Sequence, residues 1–258
     1  MEHIVVADRG SVRIVTLNRP ERMNALSRAL VAEIGAAARE AAATATTRAL
    51  VLTGAGKAFC AGADLKERTS MTEAEVKAFL GVYRDAFGAV DRCPKPVIAA
   101  IGGAAFGGGL ELALACDLRV ADPMATMGLV EVRVGIIPGA GGTQRLPRLI
   151  GPGRAKDLIV TGRRVDAKEA LSLGLVNRVS EPGEVLDEAV AWGAEIAESC
   201  APVGVAQALA AIDGGLDLSL EEGLAHEQRC YEVTLPTADR LEGIAAFAAK
   251  RKPSFKGE

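Results

Sequence analysis

The chain has 258 residues, a formal net charge of −3, 49% hydrophobic residues and only 3% aromatics. That length fits one large domain, or a core domain with a smaller helical appendage, around an aliphatic, alanine-rich core. The charge gives no global attraction to nucleic acid or anionic membrane, and no run reaches the ~18 apolar residues of a membrane span.

The chain opens without a basic flank or long apolar segment, so no signal peptide is expected. His3–Val6 and Val12–Leu17 read as a β-hairpin around Asp8-Arg9-Gly10. Leu26, Leu30, Ile34, Ala37 and Ala41 recur at helical spacing behind Ser27, a candidate N-cap. Ala49–Leu52 is a short apolar run ending at Gly54, expected to be a buried strand. Thr72 and Glu75 form a capping-box pattern. Pro96–Ile101 and Leu118–Ala121 read as further buried strands, and Gly107-Gly108-Gly109 opens an apolar helix over Leu110–Ala115. Strands alternating with helices predict an α/β fold. The strands are short and unevenly spaced, which suits a spiralled sheet better than a regular doubly wound one. After Arg154 the pattern turns helical, over Val185–Ser199, Ala201–Ile212, Ser219–Tyr231 and Thr237–Ala249. Asp166/Glu169 and Ser219/Glu222 are capping signals, and the tail Lys250–Lys256 is basic and aperiodic. The expected division is a core domain over 1–195 and a helical region over 196–258.

Cys60, Cys93, Cys116, Cys200 and Cys230 are scattered and never in a Cys-x-x-Cys pair. This pattern argues for reduced thiols in a cytoplasmic location, with no disulfide framework and no metal site. Gly54-Ala55-Gly56-Lys57 is followed by Ala58, so it lacks the Ser/Thr of a P-loop; Gly139–Gln144 lacks the third glycine of a dinucleotide fingerprint. The only histidines, His3 and His226, read as solvated, which disfavours a Ser-His or Cys-His hydrolase.

The carboxylates are more informative. The first N–H groups of a helix lack internal partners and sit at the positive end of its dipole, where a carbonyl oxygen gaining charge would bind. Glu111 lies three residues past Gly108, so it would project close to that carbonyl. Glu131, in Met127-Gly128-Leu129-Val130-Glu131, occupies a second apolar context. The structural alternatives are ion pairs, Glu111 with Arg119 and Glu131 with Arg133. Two isolated carboxylates beside glycine-rich turns suit general acid–base chemistry. In Ala58–Lys66, the small residues at 61–63 would let the backbone face a ligand, or simply form a tight turn.

Together these stretches resemble the crotonase (enoyl-CoA hydratase/isomerase) superfamily. The carriers are Asn18-Arg19-Pro20 through Asn24-Ala25-Leu26, Phe59–Leu65, Gly107–Ala113 and Gly135–Arg145, in the family's order. The resemblance implies a spiral of ββα units with a helical C-terminal trimerisation region, as a homotrimer or dimer of trimers. It implies an acyl-CoA thioester substrate and no separate cofactor, coenzyme A being part of the substrate. It assigns an oxyanion hole to the N–H groups of Ala63 and Gly108, and catalytic roles to Glu111 and Glu131. Having both glutamates favours hydration or dehydration. Coenzyme A contacts are expected at Arg22, Ala25, Lys57, Ala61, Asp64, Leu65, Lys66 and Gly139, with Phe247 and Lys250 reaching the site of an adjacent subunit.

Phe59–Arg68, Met71, Glu75-Val76, Leu110–Ala121, Met127–Glu131 and Thr143–Arg148, with Cys230-Tyr231, Pro236-Thr237, Asp239–Gly243 and Lys256–Glu258 near the end, are similar to the methylglutaconyl-CoA hydratase branch, which acts in leucine breakdown. A broad short-chain enoyl-CoA hydratase is the alternative. The extra carboxylate of methylglutaconyl-CoA needs a partner when buried. Arg133 would share a face with Glu131 if that segment is extended, and Arg68 is the other candidate. One animal relative of this branch binds RNA through a lysine-rich first helix. The matching stretch here, Ser27–Arg48, has no lysine, so nucleic-acid binding is disfavoured.

Overall fold

In the computed structural model, which describes residues Met1–Glu258, the expected N-terminal hairpin forms. Strand β1 (Ile4–Arg9) pairs antiparallel with β2 (Val12–Leu17), from Ile4 opposite Leu17 to Arg9 opposite Val12. Helix α1 (Arg28–Ala43) begins where Ser27 Oγ accepts the Leu30 N–H, and it buries Leu30, Ile34, Ala37 and Ala41. Its exposed arginines are committed within the chain, Arg28 to Glu67 and Arg39 to Asp85. No free cationic stripe for phosphates runs along it.

From there the chain repeats one path: a strand joins a first sheet, the next strand joins a second sheet, and helix follows. β3 (Ala49–Gly54) and β4 (Ala58–Cys60) lead to α2 (Leu65–Arg68) and α3 (Glu73–Asp91). β5 (Val97–Ile101) and β6 (Ala104–Phe106) lead to α4 (Gly108–Leu114). β7 (Leu118–Ala121) and β8 (Thr126–Gly128) lead to a 3-10 turn (Glu131–Val134), then α5 (Gly142–Ile150) and α6 (Pro152–Thr161). β9 (Val165–Asp166), α7 (Ala167–Leu173) and β10 (Arg178–Val179) complete the two sheets. The first sheet has the order β1-β2-β3-β5-β7-β10 and the second β4-β6-β8-β9. Within them β2, β3, β5, β7 and β10 run parallel, as do β4, β6 and β8. This is the ββα spiral of the crotonase fold.

The central strands are apolar on both faces because both faces are covered. Leu50, Leu52, Val97, Ala99 and Ile101 point into the main core with α1, α3 and α4. Ala49, Val51, Ile98 and Ala100 point the other way, onto Val185 and Ala189 of α8 (Val185–Ser199). Helix α8 therefore belongs to the core and runs through residue 195. The expected boundary there falls inside a helix, and the C-terminal region starts after Ser199.

That region comprises α9 (Pro202–Gly215), α10 (Leu220–Thr234) and α11 (Ala238–Ala248). Within this chain α9 buries no residue, and α10 buries only Cys230. His226 is not solvated as expected: it is half-buried, and its Nε2 bonds the Ala210 carbonyl, tying α10 to α9. No helix is long and apolar enough to cross a membrane.

Candidate active site

The 61–64 turn is built by side chains distant in sequence. Asn24, fully buried and at a φ of 56°, donates from Nδ2 to the Ala55 and Ala58 carbonyls and accepts the Arg19 N–H. Arg19 then reaches Asp64 at 3.0 Å and the Ala25 carbonyl. Leu26 and Ala63 form a parallel bridge, with the Leu26 N–H on the Gly62 carbonyl and the Asp64 N–H on the Leu26 carbonyl. This leaves the Ala63 N–H with no acceptor in the chain. Gly62 has a φ of 98°, and a Cβ there would meet the Phe106 carbonyl oxygen at 2.8 Å, so only glycine lets the turn approach α4.

On the facing side, Gly108 is the first residue of α4, and its N–H has no intrahelical partner. A Cβ on Gly108 would lie 3.9 Å from the Ala63 nitrogen, so the two free N–H groups are close neighbours at the cleft. Gly109 sets how deep α4 sits: any side chain there would collide with the Cys60 carbonyl of β4. The pair can hold an oxygen that gains negative charge.

Glu111 is 3% exposed and makes no ion pair with Arg119, which instead bonds the carbonyls of Ala113, Cys116 and Leu175. Glu111 Oε1 accepts the N–H groups of Ala140 and Gly142, both at 2.8 Å. Burial pushes its carboxyl above the ordinary value. The N–H groups of Gly142, Ala140 and Gly139 and the charge of Arg145 oppose that rise. Glu131 is held differently. Both its oxygens are buried without any hydrogen-bond partner. Burial, reinforced by the negative charge of Glu111, pushes its pKa up to about 7, against its own backbone N–H. One carboxylate is therefore held by two backbone N–H groups, and the other, with no such donors, keeps a proton up to about pH 7. Such divergent environments separate base from acid.

Both glutamates open into a cleft that also exposes Ala61, Ala63, Leu65, Gly108 and Gly139. Its walls include Leu80 and Tyr83 of α3, Val134 at the end of the 3-10 turn and Ile136 and Ile137 after it, none of them named as a site residue from the sequence. The Tyr83 hydroxyl donates to the Leu26 carbonyl, bracing the 61–64 turn, and burial keeps the phenol protonated. The helical period of α3 was the available signal for Leu80 and Tyr83.

Several expected residues are placed elsewhere. Glu131–Val134 is a 3-10 turn, not extended, so Arg133 points away from Glu131. It is exposed, lies over Gly162 and donates to the Thr161 carbonyl, which removes it as a carboxylate anchor. Arg68 lines the cleft, and its side chain bonds to nothing in the chain. The Asp64 side chain is committed within the chain: it caps α2 and pairs with Arg19. Burial alone would raise its carboxyl, but the Arg19 guanidinium and the Glu67 N–H outweigh this and hold it below the usual range. Ala25 serves through its carbonyl, bound by Arg19. Arg22, Lys57 and Lys66 are exposed, make no ion pairs and do not line the cleft. Phe247 and Lys250, at the end of α11, do not line the cleft of their own chain.

Residues 7–258 match the Enoyl-CoA hydratase/isomerase family. Human "Enoyl-CoA hydratase domain-containing protein 2, mitochondrial" is 46% identical over 255 residues, covering 97% of this chain and 87% of the relative. Human "Methylglutaconyl-CoA hydratase, mitochondrial" is 44% identical over 262 residues, covering 100% and 77%. The crystal structure of an enoyl-CoA hydratase from Bacillus anthracis matches 100% of both chains, with a TM-score of 0.97 and 48% identity. A match over this length, on a cleft with this geometry, means that the chain belongs to the enoyl-CoA hydratase/isomerase family and is an enzyme of the enoyl-CoA hydratase type.

Proposed function

We propose that this enzyme adds water across the 2,3 double bond of 3-methylglutaconyl-CoA to give 3-hydroxy-3-methylglutaryl-CoA, and catalyses the reverse dehydration. The observation that carries the hydratase reading is the pair of unlike carboxylates, Glu111 and Glu131, beside two free N–H groups in one cleft. The thioester oxygen sits between the Ala63 and Gly108 N–H groups, each worth about 3–4 kcal/mol as charge develops. Glu111 takes a proton from water as its oxygen bonds to C3. The electrons of the double bond move into the thioester as an enolate. Protonated Glu131 then delivers a proton to C2. Hydration changes no oxidation state overall, so coenzyme A enters only as part of the substrate and no further cofactor is needed. Arg22, Lys57 and Lys66 are offered as contacts for its phosphates.

Arg68 supports the choice of substrate. It is the one basic side chain lining the cleft, and it has no hydrogen-bond partner in the chain. It suits a second substrate carboxylate, which it can bind bidentately. Arg68→Leu is expected to lower kcat/KM for 3-methylglutaconyl-CoA by about 10- to 100-fold, the range for a charge-assisted hydrogen bond, while crotonyl-CoA turns over nearly as before. Equal losses on both substrates would overturn the assignment. The apolar side chains of Val134, Ile136 and Ile137 favour the broad short-chain hydratase as the alternative, and a wild type that prefers crotonyl-CoA would establish it.

The assembly proposed is a homotrimer or a dimer of trimers. Leu220, Leu241 and Phe247 are 80%, 60% and 88% exposed, and a face this apolar needs a cover. A second copy supplies it, bringing Phe247 and Lys250 to the neighbouring acyl-CoA. Sedimentation at micromolar concentration is expected to give three protomers or a multiple of three. A stable monomer with full activity would refute this.

A further inference from the structure

Two charges stand at the wrong ends of their helices. Asp91 is the last residue of α3, where the dipole disfavours an acid, and Arg145 lies in the first turn of α5, where it disfavours a base. They face each other. Arg145 Nε and Nη2 donate to Asp91 Oδ1 and Oδ2, both at 3.1 Å, in a bidentate pair. The remaining arm, Nη1, donates to the Ala140 carbonyl at 3.1 Å. Gly141, at a φ of 113°, makes room, because a side chain there would collide with Arg145 Nη1. The carbonyl that Arg145 holds lies in the chain between the two N–H groups that grip Glu111, those of Ala140 and Gly142.

We propose that Arg145, aimed by Asp91, is a positioning residue that fixes the 140–142 loop and so keeps Glu111 oriented as the base. This rests on the reading of Glu111 as the water-activating carboxylate. The guanidinium acts twice. It holds the loop that supplies the two N–H groups, and its charge favours the carboxylate form of Glu111. Neither action touches substrate. The site is reached from behind, through a cavity lined also by Arg84, Arg92, Cys116, Asp117, Arg119, Arg148, Asp213 and Asp217. From the cleft side, Glu131, Tyr83 and Arg68 are the ionisable groups that share its walls with Glu111.

The test is the pH profile of kcat/KM for crotonyl-CoA in four variants, each first checked for an unchanged far-UV spectrum. Arg145→Gln removes the charge, and the acid limb is expected to move up by about half a unit or more. Asp91→Asn removes a negative charge and leaves Arg145 unneutralised, so the limb should move down. Arg145→Lys keeps the charge but not the fork; the limb stays and kcat falls. Asp117→Asn is the control for the other carboxyl of the rear cavity, pushed up to about 7 by burial, and should leave the limb in place. A uniform loss in Arg145→Gln with an unmoved limb would mean that Arg145 only stabilises the fold, and would overturn the proposal. Glu111→Gln separates the two levels. If it stays active, the base assignment itself fails; if it is inactive and the limb is still unmoved in Arg145→Gln, only the positioning role fails.

Discussion

Glu111→Gln should lower kcat by about 10²- to 10⁴-fold, the range for losing a positioned general base. The substitution is nearly isosteric. The amide oxygen can still accept the Ala140 and Gly142 N–H groups, so the 140–142 loop keeps its anchor. Thermal stability should therefore change little while turnover collapses. Loss of the conjugated enoyl-thioester absorbance measures the rate, and a melting curve at the same pH measures the fold. What activity remains should lack the acid limb of the wild-type profile, because no carboxylate is left to protonate at that position. Wild-type turnover by a folded Glu111→Gln protein would remove Glu111 from the mechanism.

The contrast between Glu111 and its surroundings explains what could be seen in the sequence. A carboxylate in Leu110–Ala115 is conspicuous because burial is costly, so its importance needed no structure. Its partners could not be found the same way. They are backbone N–H groups 29 and 31 residues away, and a backbone donor leaves no trace in residue identity. The same holds for the Ala63 N–H, which is free only because Arg19, Asn24 and Leu26 commit the rest of its turn.

Periodic elements were legible. α1, α8, β2 and β7 lie where spacing and caps put them, and Thr72 and Ser219 form the expected capping boxes. The strands of the second sheet could be expected only from the ββα resemblance, because β4, β6 and β8 have three residues each, too few to show a period of two. Those strands are specified by their neighbours: they exist because the first sheet and the helices leave a surface to pair across. α5 was hidden for a local reason. It opens on glycines and carries Pro147, both poor helix signals. Arg133 shows how one backbone assignment decides a side chain. An extended segment would have put it beside Glu131, but the 3-10 turn rotates it onto α6.

Glu131→Gln should be less active yet more stable at alkaline pH, and the opposite signs identify its role. In the folded protein its carboxyl titrates at about 7, against an ordinary value of 4.5. The folded state thus binds the proton more tightly than the unfolded chain. The stability linked to this group is fully present below pH 4.5 and is lost as pH rises through 7. Above 7 the wild type holds a buried charge with no hydrogen-bond partner. Glutamine carries no charge to bury. Partial solvent access screens part of the penalty, and the buried amide lacks partners too, so a gain of about 1 kcal/mol is expected at pH 8. That corresponds to a melting temperature higher by roughly 2–4 °C, with no difference at pH 4.5. Comparing the two proteins at each pH cancels the raised carboxyls that do not interact with Glu131, such as Asp117. Turnover should fall by about 10²-fold or more, since C2 has lost its proton donor, and the alkaline limb near pH 7 should disappear from the hydration profile. A variant less stable than wild type at pH 8, or one that keeps the alkaline limb, would show that Glu131 is not the protonated acid. The unsatisfied carboxyl is a cost to the fold that only its chemistry accounts for.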